Sequence, residues 1–188
     1  GRSAIDAAAR IVGLLSDDQA RLSRDRDDLL GFGTWNVGTI QGGQGISVVA
    51  PMCSLGVDRR LMPHESAEQI AEAVRRGISA AGIDSDGIGV EVRVTMEMPG
   101  FVTDAGHPLI DAACSAIATQ GRKPSVGGWT AACDGGFVSR DLGIPAVVLG
   151  PGNINTQAHQ PDESVAVDDL LTAARVYTLM ALRLLGAH

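Results

Sequence analysis

The first hundred residues alternate between helical and extended patterns of apolar positions. Apolar residues recur at three- and four-residue spacing over residues 5–15, which predicts an amphipathic helix that begins after Ser3 as its N-cap. Residues 35–40 alternate as a strand would, and after a glycine cluster a second strand is predicted from Ile46 to Asp58. Helical spacing returns over residues 70–78.

The clearest strand pattern lies at residues 90–98, where valines and methionines alternate with polar residues. The order up to this point is therefore helix, strand, strand, helix, strand. That is a ferredoxin-like α+β layer with an antiparallel sheet that lacks its first strand, which we interpret as a domain covering residues 1–100. Because the missing strand would precede Gly1, which is not a Met, we expect the chain to be cut from a longer one.

The pattern changes in residues 101–188. A helix is predicted at 108–119 with Pro108 in its first turn, and a helix or turn at 129–139. The run 146–149 is apolar on both faces, as in a buried parallel strand, and a last helix is predicted from Asp168 to about Leu185. This part is typical of a segment of a larger α/β domain.

Composition narrows the choice of partners and compartment. With a net charge of -7, the 188-residue chain lacks the clustered Lys and Arg that nucleic acid or an anionic membrane surface would require. Neither a signal peptide nor an apolar run of about 18 residues is present, so we expect a cytoplasmic protein. The 3 cysteines show no CxxC spacing, which favours buried thiols in a reducing compartment over disulfides or a zinc knuckle.

His159, in the segment AHQPDE at 158–163, is a candidate metal ligand. It follows the predicted strand 146–149, and ligands of open α/β sheets bind beyond the carboxyl ends of strands. A hydrogen-bonded loop histidine is the alternative. A catalytic zinc site needs about three protein ligands. The other histidines lack metal-site spacing, so we interpret His64, His107 and His188 as solvated or capping and expect no complete metal site in this chain.

Three polar side chains are further candidates. Arg60, predicted at the end of a strand, could bind a carboxylate through its two parallel N–H groups, or could form a surface ion pair with Asp58 or Glu65. Thr130 and Asp134 lie in a glycine-flanked segment that is also compatible with simple turn formation. Serine hydrolysis is excluded because no serine lies in a Gly-x-Ser-x-Gly elbow.

Three motifs, taken in order, resemble a family of metal-dependent amidohydrolases that includes acetylornithine deacetylase, succinyl-diaminopimelate desuccinylase, aminoacylase and carboxypeptidase G. The segment CSLGVDRRLMPHE at 53–65 resembles the family's Asp-x-Arg-x-x-Pro-x-Glu motif, and GGWTAACD at 127–134 resembles its Gly-Gly-x-x-x-Asp turn. Residues 144–163 resemble its closing Gly-x-Gly, Ala-His, Glu signature. One departure is Ser47-Val48-Val49-Ala50, where the family usually has Asn-Val-x-Pro.

The resemblance implies a zinc-binding α/β catalytic domain that is interrupted by a four-stranded lid, through which the enzyme dimerises. Residues 1–100 would be most of the lid, and 101–188 the end of the catalytic domain. His159 would be one metal ligand, while Arg60, Thr130 and Asp134 would contact substrate. The remaining ligands of two zinc ions, for which cobalt or manganese could substitute, and the glutamate that acts as general base would lie upstream, so no catalytic residue is expected here.

The sequence thus predicts part of a zinc-dependent hydrolase that cleaves the amide bond of an N-acyl amino acid or small peptide-like substrate, and a homodimer. In such an enzyme two metal ions polarise the carbonyl and supply hydroxide while a carboxylate transfers the proton. The 188-residue chain alone would be inactive. The alternative is a non-catalytic binding or dimerisation module derived from the same family.

Overall fold

The structure is a computed structural model that describes residues 2–186. Over these residues the class is α/β with one antiparallel sheet, which confirms the fold class predicted from the sequence. No helix within the described range is long and apolar enough to cross a bilayer. The elements in chain order are α1 (Ala4–Leu22), β1 (Trp35–Gly42), β2 (Cys53–Arg59), α2 (Ala67–Ala80), α3 (Pro108–Thr119), α4 (Gly135–Leu142), α5 (Ile154–Gln157) and α6 (Val167–Leu185).

The described residues form two compact units. The first contains residues 2–100 together with Gly128–Asp134, and the second contains 101–127 together with 135–186. The interpretation of these parts as a lid and a catalytic segment stays a prediction.

Helix α1 begins where its sequence predicts. The Ser3 hydroxyl accepts a hydrogen bond from the Asp6 backbone N–H at 3.3 Å, which caps the helix, and Asp6 in the first turn suits the helix dipole. The helix continues beyond the apolar stripe to Leu22. An Asp18–Arg21 ion pair of 2.7 Å, one turn apart, supports this charged last part.

The sheet consists of β1 and β2, paired antiparallel from Trp35 opposite Arg59 to Gly42 opposite Cys53. A bulge between Val37 and Thr39 shifts the register. The second strand starts at Cys53, so the prediction of a strand from Ile46 was wrong. Residues 46–52 carry several exposed apolar side chains and make no ladder hydrogen bonds. A strand needs a neighbouring segment to pair with, and none lies beside these residues in the described structure.

The predicted strand at 90–98 is also absent from the sheet among the described residues. Val90 and Val92 do pack, half-buried, on a cluster formed by Ala7, Ile78 and Ile83. The alternation no longer corresponds to burial beyond Val92, since the following Val94 is 41% exposed. The apolar pattern therefore indicated the packing on the helices correctly for Val90 and Val92 only, and no backbone partner pairs with the segment among the described residues.

Helices α3 and α6 form the core of the second unit. Three alanines of α3 pack against Val176 and Met180 of α6, and these small side chains allow the helices to approach closely. Both helices match the sequence prediction, and α6 ends at Leu185, followed by Gly186 as its C-cap with a left-handed φ of 69°.

The run 146–149 is not a strand of the described structure, contrary to prediction. Two of its carbonyls accept hydrogen bonds from side chains: Thr103 Oγ1 donates to the Ala146 oxygen at 2.5 Å, and Tyr177 Oη donates to the Leu149 oxygen at 2.9 Å. Helix α4 begins only at Gly135, later than the helix or turn predicted at 129–139. The cysteines are free, but they are half-buried and not buried as predicted.

Candidate functional site

Arg59, at the end of β2, is the buried arginine of the first candidate motif. Its side chain is 7% exposed, and Nη2 lies 2.6 Å from Oε1 of Glu65, itself 13% exposed. The guanidinium also lies over the Trp35 ring, 5.4 Å from its centroid. A Cβ on Gly33 would overlap this guanidinium, so the absence of a side chain there makes room for it.

Arg60 lies at the surface instead. Its side chain is 49% exposed, and Nε is 3.0 Å from Oδ2 of Asp58, which is exposed as well. Of the two ion pairs that the sequence allowed for Arg60, the pair with Asp58 is therefore the one observed, because Glu65 is engaged by Arg59. Exposed pairs of this kind contribute about 0–1 kcal/mol, so an incoming carboxylate could displace Asp58 at little cost.

The turn that follows Arg60 is braced by Glu65. Oε2 of Glu65 accepts from the Met62 N–H at 2.8 Å, and the Glu65 N–H donates to the Met62 carbonyl at 2.9 Å. Gly100 packs against the same turn, since a Cβ there would lie 2.8 Å from the Leu61 oxygen. The backbone of Arg60 is tied to the chain before β1 by a 2.9 Å hydrogen bond from its N–H to the Thr34 carbonyl.

Sequence reasoning missed the roles of Arg59 and Trp35, although the strand parity contained a signal. Cys53, Leu55 and Arg59 are separated by even numbers of residues and are the less exposed positions of β2, although Val57, which has the same parity, is exposed. Side chains alternate across a strand, so Arg59 shares the inner face of β2 whereas Arg60 follows on the outer one.

Trp35 also connects the sheet to α1. Its indole N–H donates to Asp18 Oδ2 at 2.8 Å, and its backbone N–H donates to Gln19 Oε1 at 2.7 Å. Burial raises the pKa of Asp18, but hydrogen bonds from Trp35 and Arg21 outweigh it, so the net pKa lies below its ordinary value. Trp35 thus contacts two charged groups: Arg59, which pairs with Glu65, lies over its ring, and Asp18 accepts a hydrogen bond from its indole N–H.

Thr130 and Asp134 are both exposed and lie in the segment Gly128–Asp134, which belongs to the same unit as Arg60. Asp134 immediately precedes helix α4. At the start of the segment, Gly128 approaches the Leu29 carbonyl so closely that a Cβ on it would overlap the Leu29 oxygen.

His159 belongs to the second unit and lies in a short ordered loop after α5. Asn153 caps α5 by accepting from the Asn155 N–H at 3.1 Å, and the Ser164 N–H donates to Gln157 Oε1 at 3.1 Å. His159 has a left-handed φ of 61°, and its backbone N–H donates to Glu163 Oε2 at 3.0 Å. Positive φ is costly for a residue with a side chain and is enriched at ligand sites.

The imidazole of His159 is exposed, and Glu163 uses its carboxylate on the backbone rather than on the ring. Across residues 2–186, no group of three or more His, Cys, Asp or Glu side chains is placed to hold a metal ion. His64 is exposed, and His107 caps α3 through Nδ1, which accepts from the Leu109 N–H at 3.1 Å. His188 lies outside the described residues. The described chain therefore does not fit a complete metal centre.

The chain is also similar to known proteins. The profile of Peptidase family M20/M25/M40 matches residues 6–183. Acetylornithine deacetylase of Myxococcus xanthus is 30% identical over 181 residues, 94% of this chain and 45% of that protein. N-formyl-4-amino-5-aminomethyl-2-methylpyrimidine deformylase of Bacillus subtilis is 26% identical over 193 residues, again 94% and 45% of the two chains.

Solved structures show the same fold. Aminopeptidase PepT from Bacillus cereus superposes with a TM-score of 0.67 at 23% identity, covering 95% of this chain and 44% of that one. A dinuclear metal binding peptidase of the M20 family from Bacillus subtilis gives a TM-score of 0.67 at 17% identity, covering 99% and 47%. The chain spans about half the length of the curated relatives it matches.

Proposed function

The chain belongs to Peptidase family M20/M25/M40, and from this premise we propose that it is part of a metal-dependent hydrolase that cleaves the amide bond of N-acyl amino acids or small peptide-like substrates. The observation that carries the proposal is the profile match over residues 6–183, within which the motif around Arg60 lies on an ordered, braced turn. The matched relatives include a deacetylase and a desuccinylase, both named for removing an acyl group.

Arg60 is the proposed binder of the substrate carboxylate. The side chain is accessible, and the Arg60 backbone N–H is hydrogen-bonded to the Thr34 carbonyl. Its ion pair with Asp58 is exposed and therefore weak. A planar guanidinium can hold a carboxylate with two parallel hydrogen bonds, which is the geometry that an N-acyl amino acid or peptide C-terminus offers.

Thr130 and Asp134 are the proposed further substrate contacts. Both side chains are exposed, and their segment belongs to the same compact unit as Arg60. The Thr130 hydroxyl can accept from a substrate N–H group or donate to a substrate carbonyl, and the Asp134 carboxylate can accept from a substrate N–H group.

His159 is the proposed metal ligand of this chain. Its exposed ring, on a backbone held in the left-handed region by Glu163, supports the proposal. One imidazole does not make a stable zinc site, which needs three or four protein ligands. In the whole protein we propose a site for two zinc ions, for which cobalt or manganese could substitute, with the other ligands and the general base supplied from outside this chain.

A homodimer in the cytoplasm completes the proposal. The sheet of the first unit has only the two strands β1 and β2 among residues 2–186, so each has an edge that another strand could pair with. Ile40 and Val57 also leave apolar surface exposed on these strands. The second candidate function is a non-catalytic binding or dimerisation module derived from the same family, which the exposed sheet edges of the first unit would serve equally well.

The test is an assay of the whole parent protein, isolated with its metal, against N-acetyl and N-succinyl amino acids and dipeptides. Each substrate is paired with an analogue that carries an uncharged amide in place of the carboxylate. We expect hydrolysis that a chelator abolishes and added zinc, cobalt or manganese restores, and we expect the uncharged analogues to be poor substrates. No turnover with any of the three metals would support the non-catalytic module.

A further inference from the structure

Of the two glycines Gly127 and Gly128, only Gly128 lies close against another part of the backbone. A Cβ on Gly128 would overlap the Leu29 oxygen and would lie 2.7 Å from the Leu29 carbonyl carbon and 3.3 Å from Leu30 Cα. These are main-chain atoms that cannot rotate away as a side chain could. A Cβ on Gly127 would meet nothing within 4 Å. The loop that contains Leu29 therefore forms the surface on which the segment Gly128–Asp134 starts.

That loop is closed by Asp27. Its Oδ1 accepts from the Leu29 N–H at 2.8 Å and from the Leu30 N–H at 2.7 Å, and its backbone exchanges two hydrogen bonds with Gly31 at 2.7 and 2.9 Å. Hydrogen bonds from the Leu30 and Leu29 N–H groups hold the pKa of Asp27 below its usual value. Both N–H groups on either side of the Leu29 carbonyl are thus bound to one carboxylate oxygen, which fixes the direction of that carbonyl.

We propose that Asp27 is a positioning residue that acts through the Leu29 carbonyl on Gly128, and so holds the segment carrying Thr130 and Asp134 in its binding conformation. The inference rests on the proposed substrate-binding role of Thr130 and Asp134. Asp27 itself touches no substrate. Without its carboxylate, the orientation of the Leu29 carbonyl is no longer fixed, and the segment Gly128–Asp134 that packs on this carbonyl becomes less well ordered.

The contact is tested first in the 188-residue chain by amide hydrogen exchange of peptides covering 27–31 and 127–134, with melting followed as a check on folding. We expect Gly128→Ala to accelerate exchange in both peptides and Gly127→Ala, the matched control, to leave it unchanged. Asp27→Ala should accelerate exchange in both peptides. Asp27→Asn should restore slow exchange, because its amide oxygen can still accept both N–H groups. Equal exchange in the two glycine variants, or an Asp27→Ala effect confined to 27–31, would overturn the proposal.

The second stage uses the whole parent protein and its best N-acyl substrate. We expect Asp27→Ala to raise KM about tenfold, equivalent to ~1.4 kcal/mol, with kcat changed less, and Asp27→Asn to recover the original KM. Hydrolysis that is unaffected by Asp27→Ala would contradict the positioning role while leaving the proposed function intact. Absence of hydrolysis in the unmodified protein would instead contradict the proposed function, and the exchange experiment would still decide whether Asp27 holds the segment.

Discussion

Arg59 and Glu65 form a largely buried ion pair, with 2.6 Å between Nη2 and Oε1. The adjacent Arg60 lies at the surface and pairs with the exposed Asp58. Two neighbouring arginines thus have separate tasks. Arg59 holds the turn through Glu65, and that turn presents Arg60 where a ligand can reach it.

Arg59→Ala should strongly destabilise the protein. The substitution leaves Glu65 without its cation in a poorly solvated position, and breaking a buried pair in this way costs about 3–5 kcal/mol. Urea unfolding at pH 7 measures the change in the free energy of unfolding. Arg60→Ala is the matched control and should change it by less than about 1 kcal/mol, because its ion pair is exposed. Similar losses in the two variants would refute the division of roles.

Arg60→Lys in the whole parent protein should lower kcat/KM for a carboxylate-bearing substrate about tenfold to a hundredfold, or ~1.4 to 2.7 kcal/mol, without lowering the melting temperature. An ammonium group cannot reproduce the two parallel hydrogen bonds of the guanidinium. Arg76→Lys serves as a control, since Arg76 is also an exposed arginine with a surface partner, 3.6 Å from Glu72. Unchanged kinetics in the Arg60 variant would leave this residue with its surface ion pair only.

Asp18 should make stability depend on pH in the acid range. Its folded-state pKa lies below the ordinary value of 3.8, so the ionised form favours the folded state. The contribution is complete above the unfolded pKa and is lost as the pH falls through the folded pKa. Urea unfolding between pH 7 and pH 3 should show this loss, and Asp18→Asn should flatten the profile below about pH 4.

Asp17→Asn is the control for that profile, because it removes the same charge from an exposed position of α1 without affecting the Trp35 hydrogen bond. A steep acid limb that persists in Asp18→Asn would assign the pH dependence to other carboxylates.

His159→Ala should remove bound metal and activity from the whole parent protein. The 188-residue chain alone should retain no stoichiometric zinc after dialysis and hydrolyse nothing, because one imidazole with waters binds zinc weakly. Metal analysis of both proteins tests this, with His64→Ala as a control at another exposed histidine. Tight zinc in the short chain would reveal a local site, and full metal content in the His159 variant would exclude it as a ligand.

The whole protein should sediment as a dimer at micromolar concentration. The basis is the two-stranded sheet, whose edges can accept another strand, since unpaired backbone N–H and C=O groups favour association. Only monomer at this concentration would contradict the proposed dimerisation role of the first unit.

The sequence by itself determined the four longest helices, α1, α2, α3 and α6, and indicated the family. Apolar spacing, the Ser3 cap and Pro108 at the start of α3 are local signals, and helix hydrogen bonds connect residues within one segment. For this reason α1, α3 and α6 were predicted from pattern alone. The order of the three motifs likewise indicated the family that the profile match then showed.

Only the tertiary structure decided which extended segments are strands and which arginine is buried. A strand forms its hydrogen bonds with another segment, so alternation at 90–98 and the apolar run at 146–149 could not reveal that no ladder partner lies beside them in the described residues. Arg59 and Arg60 are identical in type, and Glu65 and Asp58 are both acids within reach of them in sequence. Arg59 is the buried one because it lies on the face of β2 that packs on Trp35, where Glu65 is held in place as its ion-pair partner. Burying a charged group without such a partner would be strongly unfavourable.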